Sequence, residues 1–315
     1  MIDMNSSKPP TKEEVFAKPI SPLDDFVFSK QFESMESAPA AQSLINGVLL
    51  NAGREPLDTI DALECQKVFV GEGRKLRGCR LDVVARSKQH LANVEVQLNK
   101  LKAMGERSFF NASQMLIGAT SSGATFDELP KVTVISLLDF IIRESDPDFH
   151  QPFALYYEKG KRESVTDRAD FHFLQLPKFR RIEPDINNGL HRWLYYLDKG
   201  YKAPDNELTR EVLKMDTGLR VFDERYKGNV ADPLFRKEYF NVFMSEWAEH
   251  DRLKTARLDG KAEGKAEGIA EGIAEGIAEG EAKIVRQLLA SGMSVEKVAA
   301  LTKLPVTRIK TLSRS

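Results

Sequence analysis

Alternation of apolar and polar positions is clearest between Cys79 and Leu98, where CRLDVVAR and LANVEVQL flank the turn-like SKQH. A period of two marks a strand, and two such runs across a short polar turn predict a β-hairpin. With a four-residue loop from Ser87 to His90, Arg86 pairs with Leu91, and Asp82 lies opposite Glu95. One face then collects Cys79, Leu81, Val83 and Ala85 against Leu98, Val96, Val94 and Ala92, all apolar. The other collects Arg80, Asp82, Val84 and Arg86 against Gln97, Glu95, Asn93 and Leu91. A slip by one residue would mix the faces, so the pattern itself selects this register.

The rest of the chain reads as helices and strands around that hairpin. Leu44, Ile45, Val48 and Leu49 keep helical spacing until Asn51-Ala-Gly-Arg ends the helix. CQKVFV (65–70) predicts a strand, residues 101–118 a helix, and the apolar run KVTVISLLDFII (131–142) a buried strand. The order helix, three strands, helix, strand describes an α/β fold, a mixed sheet flanked by helices. WLYYL (193–197) has the spacing of a core helix, His172 between Phe171 and Phe173 reads as a strand residue, and GRKLRGCR (73–80) reads as a turn.

From Gly260 the chain repeats Ala-Glu-Gly with a fourth residue that is Lys twice and Ile three times, placing glycines at 264, 268, 272, 276 and 280. The alanines form a drifting stripe that suits a paired helix, while each glycine costs about 0.8–1 kcal/mol relative to alanine, which suits a tether. Three short helices follow: one ending at Gly292, one capped by Ser294, and one opened by Pro305. They predict a helix-turn-helix-like tail with Thr307, Arg308 and Lys310 facing DNA, or a small oligomerisation bundle packed through Ile284, Leu288, Val298, Leu301 and Ile309. The expected organisation is a flexible stretch at 1–20, a main domain at 21–250, the repeat at 251–280 and the tail at 281–315.

The hairpin raises a chemical question. Carboxylates directly opposite one another sit about 5 Å apart, and at an effective dielectric of about 20 their repulsion is on the order of 3 kcal/mol, more than a surface ion pair contributes. Positive charge is therefore expected between Asp82 and Glu95. A hard divalent cation such as Mg²⁺ suits two carboxylates. Arg80 and Arg86, on the same face, offer the alternative of a solvated, self-neutralised sheet.

Charge and composition narrow the options. The 315 residues are 42% hydrophobic with a net charge of −1, enough apolar matter for a real core. The charge is uneven: 261–280 carries two lysines against five glutamates, whereas 281–315 carries seven basic against two acidic side chains. The basic end is the electrostatic candidate for nucleic acid. Two cysteines are too few for a disulfide scaffold or a cysteine zinc site. No HExxH or GxSxG occurs, and neither a signal-like segment nor an apolar run of spanning length is present, so a soluble cytoplasmic protein is expected.

Asp82 in LDVVA, followed after a turn by Glu95-Val96-Gln97, resembles the PD-(D/E)XK nuclease motif in its (D/E)XQ form. Together with Asp25-Phe26-Val27-Phe28, FLQLPKF (173–179), RWLYYLDKG (192–200) and the Ala-Glu-Gly repeats, it resembles the bacterial recombination-promoting nuclease and transposase family. The resemblance implies a restriction-endonuclease-like core with a helical repeat and tail. It also implies a metal site of Asp82, Glu95 and the Val96 carbonyl, with Asp25 as a further acid and Gln97 in the usual lysine position. The activity so implied is Mg²⁺- or Mn²⁺-dependent DNA cleavage linked to recombination; the small-residue stripe of the repeat adds the expectation of a homo-oligomer. A non-catalytic DNA-binding scaffold and transposase-like strand transfer are the alternatives.

Overall fold

The computed structural model describes residues 8–69, 79–120, 123, 125–156 and 166–313; the turn expected at 73–80 lies almost wholly outside them. The chain divides into one unit spanning Pro10–Phe243 and another running from Met244 onward.

The first unit begins with α1 (Lys12–Val15), α2 (Asp25–Lys30) and α3 (Ala38–Asn51), followed by β1 (Ala62–Phe69), β2 (Cys79–Ser87) and β3 (His90–Gln97). After α4 (Met104–Ala119) come β4 (Lys131–Leu138), β5 (His150–Ala154) and β6 (Ala169–Gln175), then α5 (Leu176–Phe179), α6 (Gly189–Asp198), α7 (Glu207–Met215) and α8 (Thr217–Ala231). Helix α9 (Pro233–Ala290) starts in this unit and continues into the other, which ends with α10 (Val295–Thr302) and α11 (Val306–Leu312). Within the stretch 1–20, α1 is closed by a Thr11–Glu14 capping box, and Val15 and Ile20 are buried.

The sheet has the order β1-β2-β3-β4-β6-β5, with β3, β4 and β6 parallel and the remaining neighbours antiparallel. It is the mixed α/β sheet that the sequence predicts. The hairpin keeps the predicted register, Arg86 against Leu91, but Ser87 and His90 also pair, so its loop has two residues rather than four. Lys88 takes the left-handed φ of 48° that so tight a turn requires, and its N–H is held by Asp61 Oδ2 at 2.7 Å. Strand β4 stops at Leu138, short of the predicted 142; Asp139 N still donates to the Gln97 carbonyl at 3.1 Å, and its carboxylate pairs with Arg180 at 2.6 Å. Strand β5 was not foreseen: it is short and contains Pro152, a residue that an edge strand tolerates.

Apolar burial holds helices on the sheet. Helix α4 contributes Ala112 and Met115 to a cluster with Val84, Leu91, Val132, Val134 and Phe171, and Met104 to another with Leu138, Phe140 and Phe173. Each large side chain so buried contributes roughly 1.5–3 kcal/mol. Helices α3, α6 and α8 form a second layer, with Trp193 and Tyr196 of α6 fully buried against Phe222 of α8. At Gly218, a Cβ would run into the Pro39 carbonyl oxygen and Ser43 of α3, so only glycine permits this helix approach.

The FLQLPKF and RWLYYLDKG segments have structural roles here. Lys178 is buried and donates to the carbonyls of Arg143 (2.8 Å), Asp146 (2.5 Å) and Asp148 (3.3 Å), closing the loop after β4. Arg180 joins Asp139 to Asp198 at 2.6 Å each.

A polar chain crosses the interior. Asn188, whose Oδ1 caps α6, donates through Nδ2 to Asn51 Oδ1 (2.7 Å), and Asn51 Nδ2 donates to His150 Nδ1 (2.7 Å). That leaves His150 Nε2–H to donate to His172 Nδ1 at 2.9 Å, and His172 Nε2 stands 3.2 Å from Asp170 Oδ2, off the hydrogen-bond line. Arg54 ends the chain with Nε 2.9 Å from Asp170. Burial pushes His150 down to about 3; for Asp170, the contacts to His172 and Arg54 outweigh burial and hold it at about 2.

In the unit from Met244, the Ala-Glu-Gly repeat is helical throughout α9, with Ile269, Ile273 and Ile277 exposed. Gly292 (φ 86°) ends α9, Ser294 Oγ accepts from Lys297 N to start α10, and left-handed Lys303 turns the chain into α11. Ala282, Val285, Val298, Ile309 and Leu312 form the common core of these three helices. Ile284 and Leu301, expected inside it, are 52% and 64% exposed because their helix positions face away.

Candidate active site

Three acidic side chains come from three elements. At the start of α2 two aspartates compete for one role, and capping separates them: Asp24 Oδ1 accepts from Phe26 N (3.1 Å) and Val27 N (3.3 Å), satisfying the free helix amides. Asp25 is thereby left to face the sheet, where its charge acts on both Asp82 and Glu95.

Asp82 and Glu95 are not a ladder pair, because hairpin pairing stops at Val83 and Val94. Beyond that point the Asp82 carboxylate takes the place of a strand carbonyl, its Oδ2 accepting from Val96 N at 3.1 Å. Glu95 is 2% exposed, and the face carrying it is not solvated as the alternative supposed, since α4 covers it. Its Oε1 accepts from Asn93 Nδ2 (3.1 Å) and Asn111 Nδ2 (2.6 Å), and its Oε2 lies 3.5 Å from Arg107 Nε. Among the described residues, the cation that acts on all three carboxylates is therefore Arg107 of α4, rather than Arg80 or Arg86 of the hairpin.

Burial raises Asp82 to about 7, helped by repulsion from Asp25 and Glu95 and opposed by the Val96 N–H and Arg107. Glu95 is also raised by burial, against the pull of Arg107 and Asn93. Asp25 is open to solvent on one side, yet the protein packed around it raises its pKa despite Arg107. Three carboxylates that resist ionisation together form a site short of positive charge.

Oxygen-only donors of this kind suit a hard divalent ion. Among the described residues, no group of three or more His, Cys, Asp or Glu side chains is already gathered to hold one: Asp82 and Glu95 are turned onto protein donors. The donor chemistry fits a metal at Asp82 and at Glu95 Oε2 once Arg107 gives way there, with Asn93 and Asn111 still holding Oε1. Gln97 is half-buried, and its Nε2 donates to the Asn99 carbonyl at 3.2 Å, away from the acids. Thr307, Arg308 and Lys310 are exposed on α11, with Arg308 3.6 Å from Glu281.

Asn111 and Asn93 were not anticipated as parts of the site. The signal for Asn93 was its place two residues before Glu95 on one strand face; for Asn111 it was the helical spacing of four from Arg107. An open groove of about 600 Å³ on α4, lined by Gly105, Glu106, Phe109, Phe110 and Ser113, lies on a different helix face from Arg107 and Asn111.

A mixed sheet flanked by helices, with acids on two adjacent strands and on a preceding helix, is consistent with a nuclease-like α/β core. The chain belongs to the PD-(D/E)XK nuclease family transposases, whose pattern matches residues 22–227. No curated protein and no solved structure matches it.

Proposed function

We propose that this protein is a metal-dependent DNA endonuclease, hydrolysing phosphodiester bonds with Mg²⁺ or Mn²⁺. The observation that supports it is that Asp82 and Glu95, on adjacent strands, both feel the charge of Asp25 on α2, and that burial first, with repulsion from the other two acids, raises Asp82 to about 7. Asp82, Glu95 and the Val96 carbonyl would hold the ion, with Asp25 as the further acid. The chemistry such an ion supplies when bound is a lowered water pKa and neutralised charge at the phosphate during in-line attack. Glu95 is kept in place by Asn93 and Asn111, so its carboxylate needs little reorganisation. Gln97, released from Asn99, would orient the water or a phosphate oxygen through its amide.

DNA is the proposed substrate, with the exposed Thr307, Arg308 and Lys310 as a second contact and promotion of recombination as the role. A homo-oligomer joined through the repeat, working in the bacterial cytoplasm where DNA is accessible, accords with this reading. No helix among the described residues is long and apolar enough to cross a membrane. The non-catalytic scaffold remains the second reading, favoured by the uncharged Gln97 turned onto Asn99. Strand transfer, from the family's transposase description, is the third.

Plasmid nicking by the purified chain with Mg²⁺, Mn²⁺, Ca²⁺ or EDTA separates these readings. Cleavage that requires a divalent ion and vanishes in folded Asp82→Ala and Glu95→Ala supports the nuclease. DNA binding without nicking supports the scaffold, and joining of a labelled end to a target supports strand transfer.

A further inference from the structure

The resemblance puts Gln97 where a lysine would bring positive charge; a glutamine carries none, and its amide is given to Asn99. Charge reaches the carboxylates from another element instead. Arg107 stands at the end of the first turn of α4, its side chain 41% exposed, with Nε 3.5 Å from Glu95 Oε2. A guanidinium has five N–H donors in a planar fork. Among the described residues, Glu95 is the one ion-pair partner of this fork, and the contact is long.

Glu95 does not depend on that contact for its position. Its other oxygen is gripped by two buried amides, Asn111 at 2.6 Å and Asn93 at 3.1 Å, the first of them one turn further along α4. The two oxygens of Glu95 are thus held differently: Oε1 by fixed neutral donors, Oε2 by a half-exposed cation on a long side chain. Oε2 is also the oxygen left available for an incoming ion.

We infer that Arg107 is an exchangeable counter-charge: it occupies Glu95 Oε2 while no metal is present, and on displacement by the metal it grips a phosphate oxygen of DNA. This rests on the nuclease reading of the site. Arg107 then competes with the metal and assists the phosphate, so its removal moves two affinities in opposite directions. A residue with a purely structural role would weaken both or neither.

The test uses the full chain, with Arg107→Met and Arg107→Lys beside the wild type and thermal melts to check folding. Mn²⁺ titrated without DNA, followed by calorimetry, is expected to bind Arg107→Met about fivefold tighter or more, since a competing charge is gone. A short DNA duplex in Ca²⁺, followed by fluorescence anisotropy, is expected to bind Arg107→Met about tenfold more weakly, with Arg107→Lys recovering part of the loss. Mn²⁺ binding that is unchanged or weaker in both folded variants overturns the competition. Unchanged DNA affinity overturns the phosphate role. Neither readout requires turnover, so a chain that never cleaves DNA defeats the nuclease reading while these two affinities still decide the role of Arg107.

Discussion

Asp82 carries an asymmetry that pH exposes. Its pKa in the fold is about 7, well above the ordinary aspartate value of 3.8, so near neutral pH the folded state holds a proton that the unfolded chain has released. The stability this group contributes is fully present below about 4 and is lost as pH rises through 7, at about 1.4 kcal/mol for each pH unit between those two values. Asp82→Asn removes that loss. The melting temperature of Asp82→Asn minus that of the metal-free wild type is therefore expected to grow between about pH 5 and pH 8, in parallel calorimetric scans. Millimolar Mg²⁺ or Mn²⁺ should raise the wild-type melting temperature at about pH 8 by preferential binding to the fold and leave Asp82→Asn unmoved. A shift of equal size in both proteins would place the ion elsewhere. His150 has the opposite sign. Burial holds it neutral down to about 3, so its contribution is present above the ordinary histidine value of 6.5 and is lost as pH falls. In His150→Gln, the decline of stability between about pH 6.5 and pH 4.5 should be shallower than in the wild type.

Among the elements, α4 matters most to the site, because it seals the polar face of the sheet and brings two side chains to Glu95. Asn111→Ala leaves a buried carboxylate with one donor fewer, a loss of about 1–3 kcal/mol. The expected result in urea is a lower midpoint with an unchanged slope. The α3–α8 contact has no room for a side chain at Gly218, and Gly218→Ala is expected to cost about 1–3 kcal/mol or more through overpacking. A wild-type melting temperature in that variant would show that the two helices part easily. The hairpin was legible at this scale because alternation allows one register. The charge partner was not: Arg80 and Arg86 are its neighbours in sequence, but Arg107 is its neighbour in space, brought there by the apolar packing of Met104, Ala112 and Met115.

Across the whole molecule, the two units carry different kinds of information. In the unit from Met244, capping residues and turns gave α10 and α11 directly, since Ser294 and Pro305 act on their own backbone. The repeat glycines 264, 268, 272, 276 and 280 have nothing within 4 Å of a built Cβ, so alanine fits at each. Replacing all five should raise the helical signal of the full chain and strengthen α9 by about 0.8–1 kcal/mol per site. Circular dichroism in the far ultraviolet during a thermal melt would read this, and a loss of signal would mean that the glycines serve a close helix contact. The sheet-bearing unit depended more on distant parts of the chain, as the unforeseen edge strand β5 and the Asn188-to-Arg54 polar chain illustrate.

By itself, the sequence determined what local physics can specify: the strand period of the hairpin and its register, the helix caps and stops, and the presence of two carboxylates on one face. Tertiary structure alone decided that Asp24 caps while Asp25 faces the site, that pairing ends at Val83 so that Asp82 binds the Val96 amide, and that Asn111 and Arg107 meet Glu95. The reason is physical: periodicity and capping act over a few residues, whereas the charge and dielectric around a buried carboxylate are set by whichever elements the apolar core packs against it.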